Sequence, residues 1–289
     1  MSTMIALLLV LSSLVGCAGE TLTNVKNALP VSPAETIVFS VKLEEYEETV
    51  RSEDGAVLAE CSYELPTLKA LFEDGRVLET AASAEQEQAL AAVETFNARF
   101  AQWKTNPGTL AEAAREDQAF RNESGLEPMT YTDDLWCAVY QTETLVSVSG
   151  TYSTYTGGAH PNHILMSWNF DLGSGTFFDP DFLEEDGKLK GAVTAELVRQ
   201  AEAVALENGM APEEYFWTDY ADILADWSNY AVSFDEEGMT VGFSPYELAC
   251  YAAGSQVFHL TYQELLPYLG SHSRALLGLE EQVLEEAAG

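Results

Sequence analysis

Alternating apolar and polar residues predict strands in the first part of the chain. Thr36–Tyr46 alternates in this way, and Ala56–Leu68 follows it after an Asp54-Gly55 turn signal, which predicts a β-hairpin. Ser83–Trp103 instead has apolar residues at helical spacing, with its first residue, a serine, as the expected N-cap. A second helical stretch follows at Thr109–Glu123.

From Thr132 onward, aromatic and β-branched residues become frequent, which predicts long strands. The helical spacing returns in Leu189–Glu207, which Asn208-Gly209 ends, and a short helix or irregular segment is expected over Glu213–Trp227. The other segments of this half read as strands: two within 133–158, one in 163–178 that runs into a Gly-Ser-Gly turn, a hairpin in 229–248 that turns at Glu237-Gly238, and one in 256–269 that feeds a short helix.

Strands and helices do not alternate regularly, so the predicted class is α+β, with a mainly antiparallel sheet packed against helices in two subdomains. The predicted divisions are a lipoprotein signal peptide (1–16), a tether (17–33), a smaller N-terminal α+β subdomain (34–128), a C-terminal α+β domain (129–272) and an acidic tail (273–289).

The N-terminus has the features of a bacterial lipoprotein signal. Met4–Val15 is an apolar run too short for a stable membrane span, and it leads into Leu14-Val15-Gly16-Cys17, a lipobox-like sequence. The absence of Lys and Arg before this run departs from the usual signal. We therefore expect Cys17 to carry a lipid that anchors an extracytoplasmic protein to the outer face of the bacterial cytoplasmic membrane.

The formal net charge of −34 limits the classes of partner. Nucleic acid and anionic membrane surfaces would be repelled by such a chain, whereas a cationic partner would be attracted. An acidic surface that only keeps the protein soluble explains the same charge.

The remaining cysteines, Cys61, Cys137 and Cys250, have no metal-ligand spacing, which argues against a zinc site. They allow at most one internal disulfide. Their apolar, strand-like surroundings favour small buried hydrophobic side chains.

Residues 154–163, TYTGGAHPNH, form the most unusual loop of the sequence and admit three interpretations. In the architectural one, Gly157 and Gly158 adopt turn conformations, Pro161 holds His160 extended, and Asn162 closes the turn. In the second, the loop lines a ligand groove. The third makes His160 and a second histidine three residues later metal ligands, but the intervening proline argues against the helix that this spacing needs.

No catalytic or metal-binding motif is present. The chain lacks a G-x-S-x-G elbow, a P-loop and an H-E-x-x-H pair. Asp179–Gly187, DPDFLEEDG, loosely resembles a calcium loop without the EF-hand spacing, and a solvated acidic loop is the simpler interpretation. We therefore assign no catalytic residue and expect no metal and no cofactor.

Several motifs recur in order over Leu145–Leu269. They are a tyrosine-rich strand, T-G-G-A-H-P-N, N-F-D-L with a G-x-G turn, F-x-x-Y-E-L-A-x-Y-A-x-G and T-Y-x-E-L. This region resembles the domain of unknown function in the ectodomain of RsiV anti-sigma factors, which also accompanies PdaC-type peptidoglycan deacetylases. The resemblance implies an extracytoplasmic, ligand-facing module, and in RsiV-type proteins that module binds lysozyme. Neither the signalling nor the deacetylase role is expected here, because the sequence shows no sigma-binding segment, transmembrane helix or deacetylase domain.

These observations predict a non-enzymatic cell-surface lipoprotein whose module binds an envelope or host partner, either a cationic lysozyme-like protein or a cell-wall glycan. The alternatives are a peptidoglycan- or glycan-acting hydrolase or deacetylase that uses His160 with a nearby carboxylate, and a calcium-dependent scaffold. The predicted ligand-binding residues are Tyr152, Tyr155, Gly157, Gly158, His160, Pro161, Asn162, Tyr246 and Tyr251.

Overall fold

The computed structural model describes residues 36–279, with the side chain of Asn229 excepted. The predicted signal peptide, the lipobox cysteine, the whole tether and residues 280–289 of the predicted tail lie outside the described residues. The strands are β1 (Ile37–Arg51), β2 (Val57–Phe72), β3 (Tyr131–Gln141), β4 (Leu145–Tyr155), β5 (Asn162–Asp171), β6 (Thr176–Phe178), β7 (Ala231–Phe234), β8 (Gly238–Phe243) and β9 (Gln256–Thr261). The α-helices are α1 (Ala84–Ala101), α2 (Asn106–Ser124), α3 (Leu189–Glu207), α4 (Pro212–Tyr215), α5 (Tyr220–Ala225), α6 (Tyr262–Leu265) and α7 (Ser271–Leu276).

The strands form two sheets. The first has six strands in the order β1-β2-β3-β4-β5-β6, and the second has three in the order β7-β8-β9. Neighbouring strands are antiparallel except β2 and β3, which run parallel over 59–63 and 131–135. The α+β class with mainly antiparallel sheets is therefore confirmed. The parallel pair joins strands from both sides of the predicted division at 128/129 into one sheet.

Helix α1 packs on the six-stranded sheet because its apolar residues recur every three or four positions. Phe96 and Phe100, both fully buried, contact the rings of Phe170 and Trp168 with centroids 5.3 and 5.1 Å apart. The predicted cap is present, since Ser83 accepts a hydrogen bond from the Gln86 backbone N–H. This core fixes one face of the sheet and leaves the opposite face of β3–β5 for other contacts.

A second core joins α3 to the three-stranded sheet. The buried residues of α3 repeat every four positions, and they lie in one cluster with Phe243 of β8 and Phe258 of β9. The same cluster includes Leu276 and Leu279, so the described chain beyond residue 273, where the acidic tail was predicted to begin, packs into this core. No helix within residues 36–279 combines the length and the apolar character that a bilayer crossing requires.

Short polar side chains join the two sheets. Ser147 of β4 and Ser167 of β5 accept hydrogen bonds of 2.8 Å from the backbone N–H groups of Phe234 and Val232. The Asn169 amide donates to the Val232 carbonyl at 2.8 Å. These bonds satisfy the outer edge of β7, where unpaired backbone groups would otherwise be costly. They also hold the small sheet beside the face of β3 and β4, which creates a cleft between them.

Side-chain amides cap three further stretches of strand edge. Asn97 of α1 accepts from the backbone N–H of Leu68 and donates to its carbonyl, and Gln200 of α3 does the same for His259 of β9. Gln141 accepts from the N–H of Val41 and donates to the carbonyl two residues earlier in β1. An amide suits this role because it offers one acceptor and two donors.

Candidate functional site

The ends of the strands place two distinct sets of loops at opposite ends of β4. At one end lie the β4–β5 loop (156–161) and the β8–β9 loop (244–255). At the other lie the β3–β4 turn (142–144) and the β7–β8 turn (235–237). Because β4 has 11 residues, these ends are about 33 Å apart.

The first end carries a cluster of aromatic rings centred on His160. Its ring stacks on Tyr251, with centroids 3.6 Å apart and planes 18° from parallel. The Tyr251 hydroxyl donates to the carbonyl of Pro161 at 2.9 Å, and His160 Nδ1 lies 2.9 Å from the same oxygen. The stacking and the hydrogen bonds together hold the exposed His160 ring in one orientation.

Tyr246 and Trp217 extend this cluster. Tyr246 is 56% exposed, its ring lies 5.5 Å from Tyr251 and 6.3 Å from His160, and its backbone φ is 75°. A residue with a Cβ rarely adopts this left-handed conformation, and such residues concentrate at functional sites. The indole N–H of Trp217 donates to the Tyr246 carbonyl at 3.0 Å, which supports the strained backbone. We call His160, Trp217, Tyr246 and Tyr251 the loop cluster.

The loop beside the cluster has the turn conformations that the sequence predicts. Gly157 and Gly158 have φ values of +103° and +107°, which L side chains rarely adopt, and a Cβ on Gly157 would lie 2.9 Å from Met129 Cε. The Tyr155 hydroxyl donates to the Gly158 carbonyl at 3.1 Å. Asn162 begins β5 opposite Thr154. The predicted loop residues from Tyr155 to Asn162 are therefore contiguous with the loop cluster.

Tyr152 is the predicted ligand-binding residue that the structure places elsewhere. Strand alternation turns its ring toward the α1 side of the sheet, where it contacts Trp103 at 5.1 Å. Its hydroxyl donates to Asp133 Oδ1, and the Tyr63 hydroxyl donates to Oδ2, both at 2.5 Å. Burial raises the pKa of Tyr63 and of Tyr152 above the ordinary value of a tyrosine, and the hydrogen bonds to Asp133 raise it further. These three residues join β2, β3 and β4 beneath the surface.

The structure gives no support to a metal or acid–base site in the loop. No described hydrogen bond joins His160 to a carboxylate, and His163 lies in β5 opposite Ser153. Residues 36–279 contain no group of three or more His, Cys, Asp or Glu side chains that could hold a metal ion. The exposed aromatic rings are therefore the feature through which the loop cluster could contact a ligand.

Carboxylates of the acidic stretch at 179–187 accept hydrogen bonds from the protein backbone. Glu184 Oε1 accepts from the backbone N–H of Gly187, and its Oε2 accepts from that of Lys190 in the first turn of α3. Glu185 accepts from the backbone N–H and the hydroxyl of Ser273. These carboxylates fix the start of α3 and attach it to α7, which accounts for their presence without a cation.

All three described cysteines are free, but one prediction about them is wrong. Cys61 and Cys137 are buried in the core, as expected. Cys250 is exposed, because it lies in the β8–β9 loop beside Tyr251 and not in a strand. Burial raises the pKa of the Cys61 thiol to about 11 and that of Cys137 to about 12.

Two sets of residues at these surfaces were not predicted from the sequence. Trp217 lies 29 positions before its partner Tyr246, so no local pattern connects the two residues. The run of aromatic residues that contains Trp217 was the signal that could have marked it as a candidate. The second set lines a cleft of about 610 Å³ between the face of β3–β5 and the three-stranded sheet. The small side chains at alternate positions of β4, Ser147, Ser149 and Thr151, were its signal, because they leave room above the sheet.

Comparison with known proteins identifies part of the chain. The family model described as "Protein of unknown function (DUF3298)" matches residues 176–263, and no curated protein matches the chain. A DUF3298 family protein from Bacteroides fragilis has a similar structure, with a TM-score of 0.57 and 15% identity over 84% of this chain and 98% of its own. A DUF3298 family protein from Pseudomonas aeruginosa matches over the same shares at 15% identity with a TM-score of 0.43. At this identity the Bacteroides structure shows a shared fold and no more. Residues 176–263, which run from β6 to α6, are a DUF3298 domain.

Proposed function

We propose that the protein is an extracytoplasmic, RsiV-like binding module and that the loop cluster is its contact surface for a cationic, lysozyme-like protein. The net charge of −34 supports a cationic partner, and the ordered motifs within 145–269 support the RsiV-like assignment. Lipidated Cys17 would hold the module at the outer face of the cytoplasmic membrane. Cys17→Ser is then expected to move the protein from the membrane fraction to the soluble fraction.

The observation that carries this proposal is the fixed and exposed aromatic surface. Tyr and Trp dominate interface hot spots because they present a large contact area with few rotatable bonds. In the loop cluster, the rings of His160 and Tyr251 are already held by stacking and by hydrogen bonds to Pro161. Little side-chain entropy remains to be lost when a partner binds, which favours affinity.

Calorimetry of the compact unit Pro33–Gly289 with a C-type lysozyme tests the proposal. Saturable one-to-one binding is expected at physiological salt, with weaker affinity as salt is raised further, because charge complementarity is screened. His160→Ala and Tyr246→Asn should each weaken binding by about 30-fold, the equivalent of a ~2 kcal/mol hot spot. Asparagine is chosen at position 246 because it tolerates the left-handed backbone.

Phe120→Ala provides the matched control, because Phe120 is an equally exposed aromatic residue on α2. The affinity of the Phe120→Ala variant for lysozyme should equal that of the wild type. Binding that disappears at physiological salt, or that falls equally in the control, would reduce the effect to general charge attraction and contradict the proposal. Binding to a cell-wall glycan in place of lysozyme, lost in the same two variants, would keep the surface and replace the partner.

A further inference from the structure

A groove that the loop cluster does not line follows β3 and β4 to the β3–β4 turn. The 610 Å³ cleft between the sheets adjoins a second cleft of about 440 Å³ at the β3–β4 turn. Tyr140 and Glu236 line both clefts, so the two are continuous. Each has the volume of a ligand site. We call the combined feature the acidic groove.

The acidic groove is negatively charged without compensating cations. Glu143 and Glu236 are exposed on the two turns that border it, and neither carboxylate belongs to a described ion pair. Asp235 also lines the groove, with its Oδ1 accepting from two backbone N–H groups of the β7–β8 turn. No Lys, Arg or His is among the described residues that line either cleft.

A buried hydroxyl marks the same place independently of the carboxylates. Tyr262 lines the smaller cleft and is 6% exposed, yet its hydroxyl has no hydrogen-bond partner among the described residues. Leaving such a group unpaired costs about 1–3 kcal/mol. Burial raises the pKa of this hydroxyl above its ordinary value, and Tyr140 and Asp235, which both line the groove, raise it further. A ligand that offers a hydrogen-bonding group there would recover this cost.

The opposite end of the acidic groove is apolar. Trp136 and Val257 line it, and they are 48% and 57% exposed. Between this end and the carboxylates, the floor consists of small side chains, including Ala138, Ser149 and Thr151. The groove follows β3 from Trp136 to the turn at Thr142, a span of about 20 Å, which matches six residues of extended peptide.

We propose that the acidic groove binds an extended basic peptide segment. A Lys or Arg side chain lies between Glu143 and Glu236 and hydrogen-bonds the Tyr262 hydroxyl, while an apolar side chain packs on Trp136. An extended chain suits the length of the groove and its floor of small side chains, and the uncompensated carboxylates select a cation. This inference goes beyond the proposed function and does not depend on it, since no residue of the loop cluster lines either cleft.

Fluorescence anisotropy with a labelled hexapeptide, Leu-Lys-Val-Arg-Leu-Lys, tests the proposal on the unit Pro33–Gly289. The same peptide with glutamine at the three basic positions is the neutral probe. The basic peptide should bind at least ~10-fold more tightly, as expected for one well-placed charged contact. Glu143→Gln combined with Glu236→Gln should weaken its binding ~10-fold or more.

Glu44→Gln combined with Glu45→Gln is the matched control, because both residues are exposed on β1 outside the groove and the variant removes the same charge. The affinity of this double variant for the basic peptide should stay within about twofold of the wild-type affinity. Tyr262→Phe should weaken peptide binding while the urea midpoint of unfolding stays the same or rises, because an unpaired buried hydroxyl is removed.

Three results would overturn the proposal. They are equal affinity for the basic and neutral peptides, an equal loss in the two double variants, and peptide binding that Tyr262→Phe leaves unchanged. Chitotetraose serves as a competitor, and displacement of the peptide by this neutral sugar would also overturn it, in favour of a glycan groove. None of these measurements involves lysozyme, so the outcome is independent of the loop cluster.

Discussion

The hydrogen-bonded trio Tyr63, Asp133 and Tyr152 should be a large source of stability. Asp133 is 2% exposed, and each of its carboxylate oxygens accepts one tyrosine hydroxyl at 2.5 Å. Asp133→Ala removes both acceptors and leaves one fully buried and one half-buried hydroxyl unpaired. Each loss costs about 1–3 kcal/mol, so the free energy of unfolding should fall by about 2–6 kcal/mol.

Urea unfolding monitored by circular dichroism measures this loss directly through the shift of the midpoint at constant slope. Asp133→Asn is expected to cost less than half as much. Its amide keeps one carbonyl acceptor, and the other hydroxyl can rotate to accept from the NH₂ group. The triple variant Tyr63→Phe, Asp133→Leu, Tyr152→Phe should regain at least half of the loss, because no polar group is then left unpaired.

The reasoning is refuted if Asp133→Ala unfolds within ~0.5 kcal/mol of the wild type, the range of ordinary surface substitutions. It also fails if the alanine and asparagine variants are equally destabilised, because the shape of the side chain and not its hydrogen bonding would then decide the effect.

Three further predictions follow from the buried thiols and a capped strand edge. A thiol reagent should modify Cys250 rapidly in the folded protein and reach Cys61 and Cys137 only on unfolding, as mass spectrometry of the labelled peptides would show. Because burial raises the pKa of Cys61 to about 11 and of Cys137 to about 12, the folded protein keeps these protons after the unfolded chain has lost them above pH ~9. Stability should therefore fall as pH rises from ~9, by up to ~1.4 kcal/mol per pH unit for each thiol, and a double alanine variant at these two positions should flatten the urea midpoint between pH 8 and pH 10. Gln200→Leu should lower the free energy of unfolding by ~1–3 kcal/mol, because the N–H and the carbonyl of His259 lose their cap, and Gln200→Asn, one methylene too short, should not rescue it in the same assay.

Local signals were sufficient to predict most elements of the fold. The four-residue repeat of buried positions and the Asn208-Gly209 stop gave α3 its bounds, and Ser83 gave α1 its start. The Asp54-Gly55 signal likewise gave the first hairpin, with β1 and β2 on either side of it. In these segments the residues that determine the structure are neighbours in sequence, so their spacing carries the information.

Long-range pairing could not be predicted in the same way. The parallel contact of β2 with β3 crosses two helices, and the caps by Gln141 and Asn97 join atoms 100 and 29 residues apart. Tyr152 and Tyr251 looked equivalent in the sequence, yet strand alternation buries the first against Trp103, and a loop presents the second to His160. The acidic groove forms only when the β3–β4 and β7–β8 turns, 91 or more residues apart, come together, so no local sequence motif could predict it.

The central claim is that the loop cluster binds a cationic protein, and hydrogen exchange measured by mass spectrometry tests it most directly. Backbone amides of the unit Pro33–Gly289 would be compared with and without a C-type lysozyme at physiological salt. We expect new protection confined to the β4–β5 loop (156–161), the β8–β9 loop (244–255) and the segment around Trp217. Protection that lies elsewhere, or an exchange pattern that lysozyme leaves unchanged, would contradict the assignment of this surface.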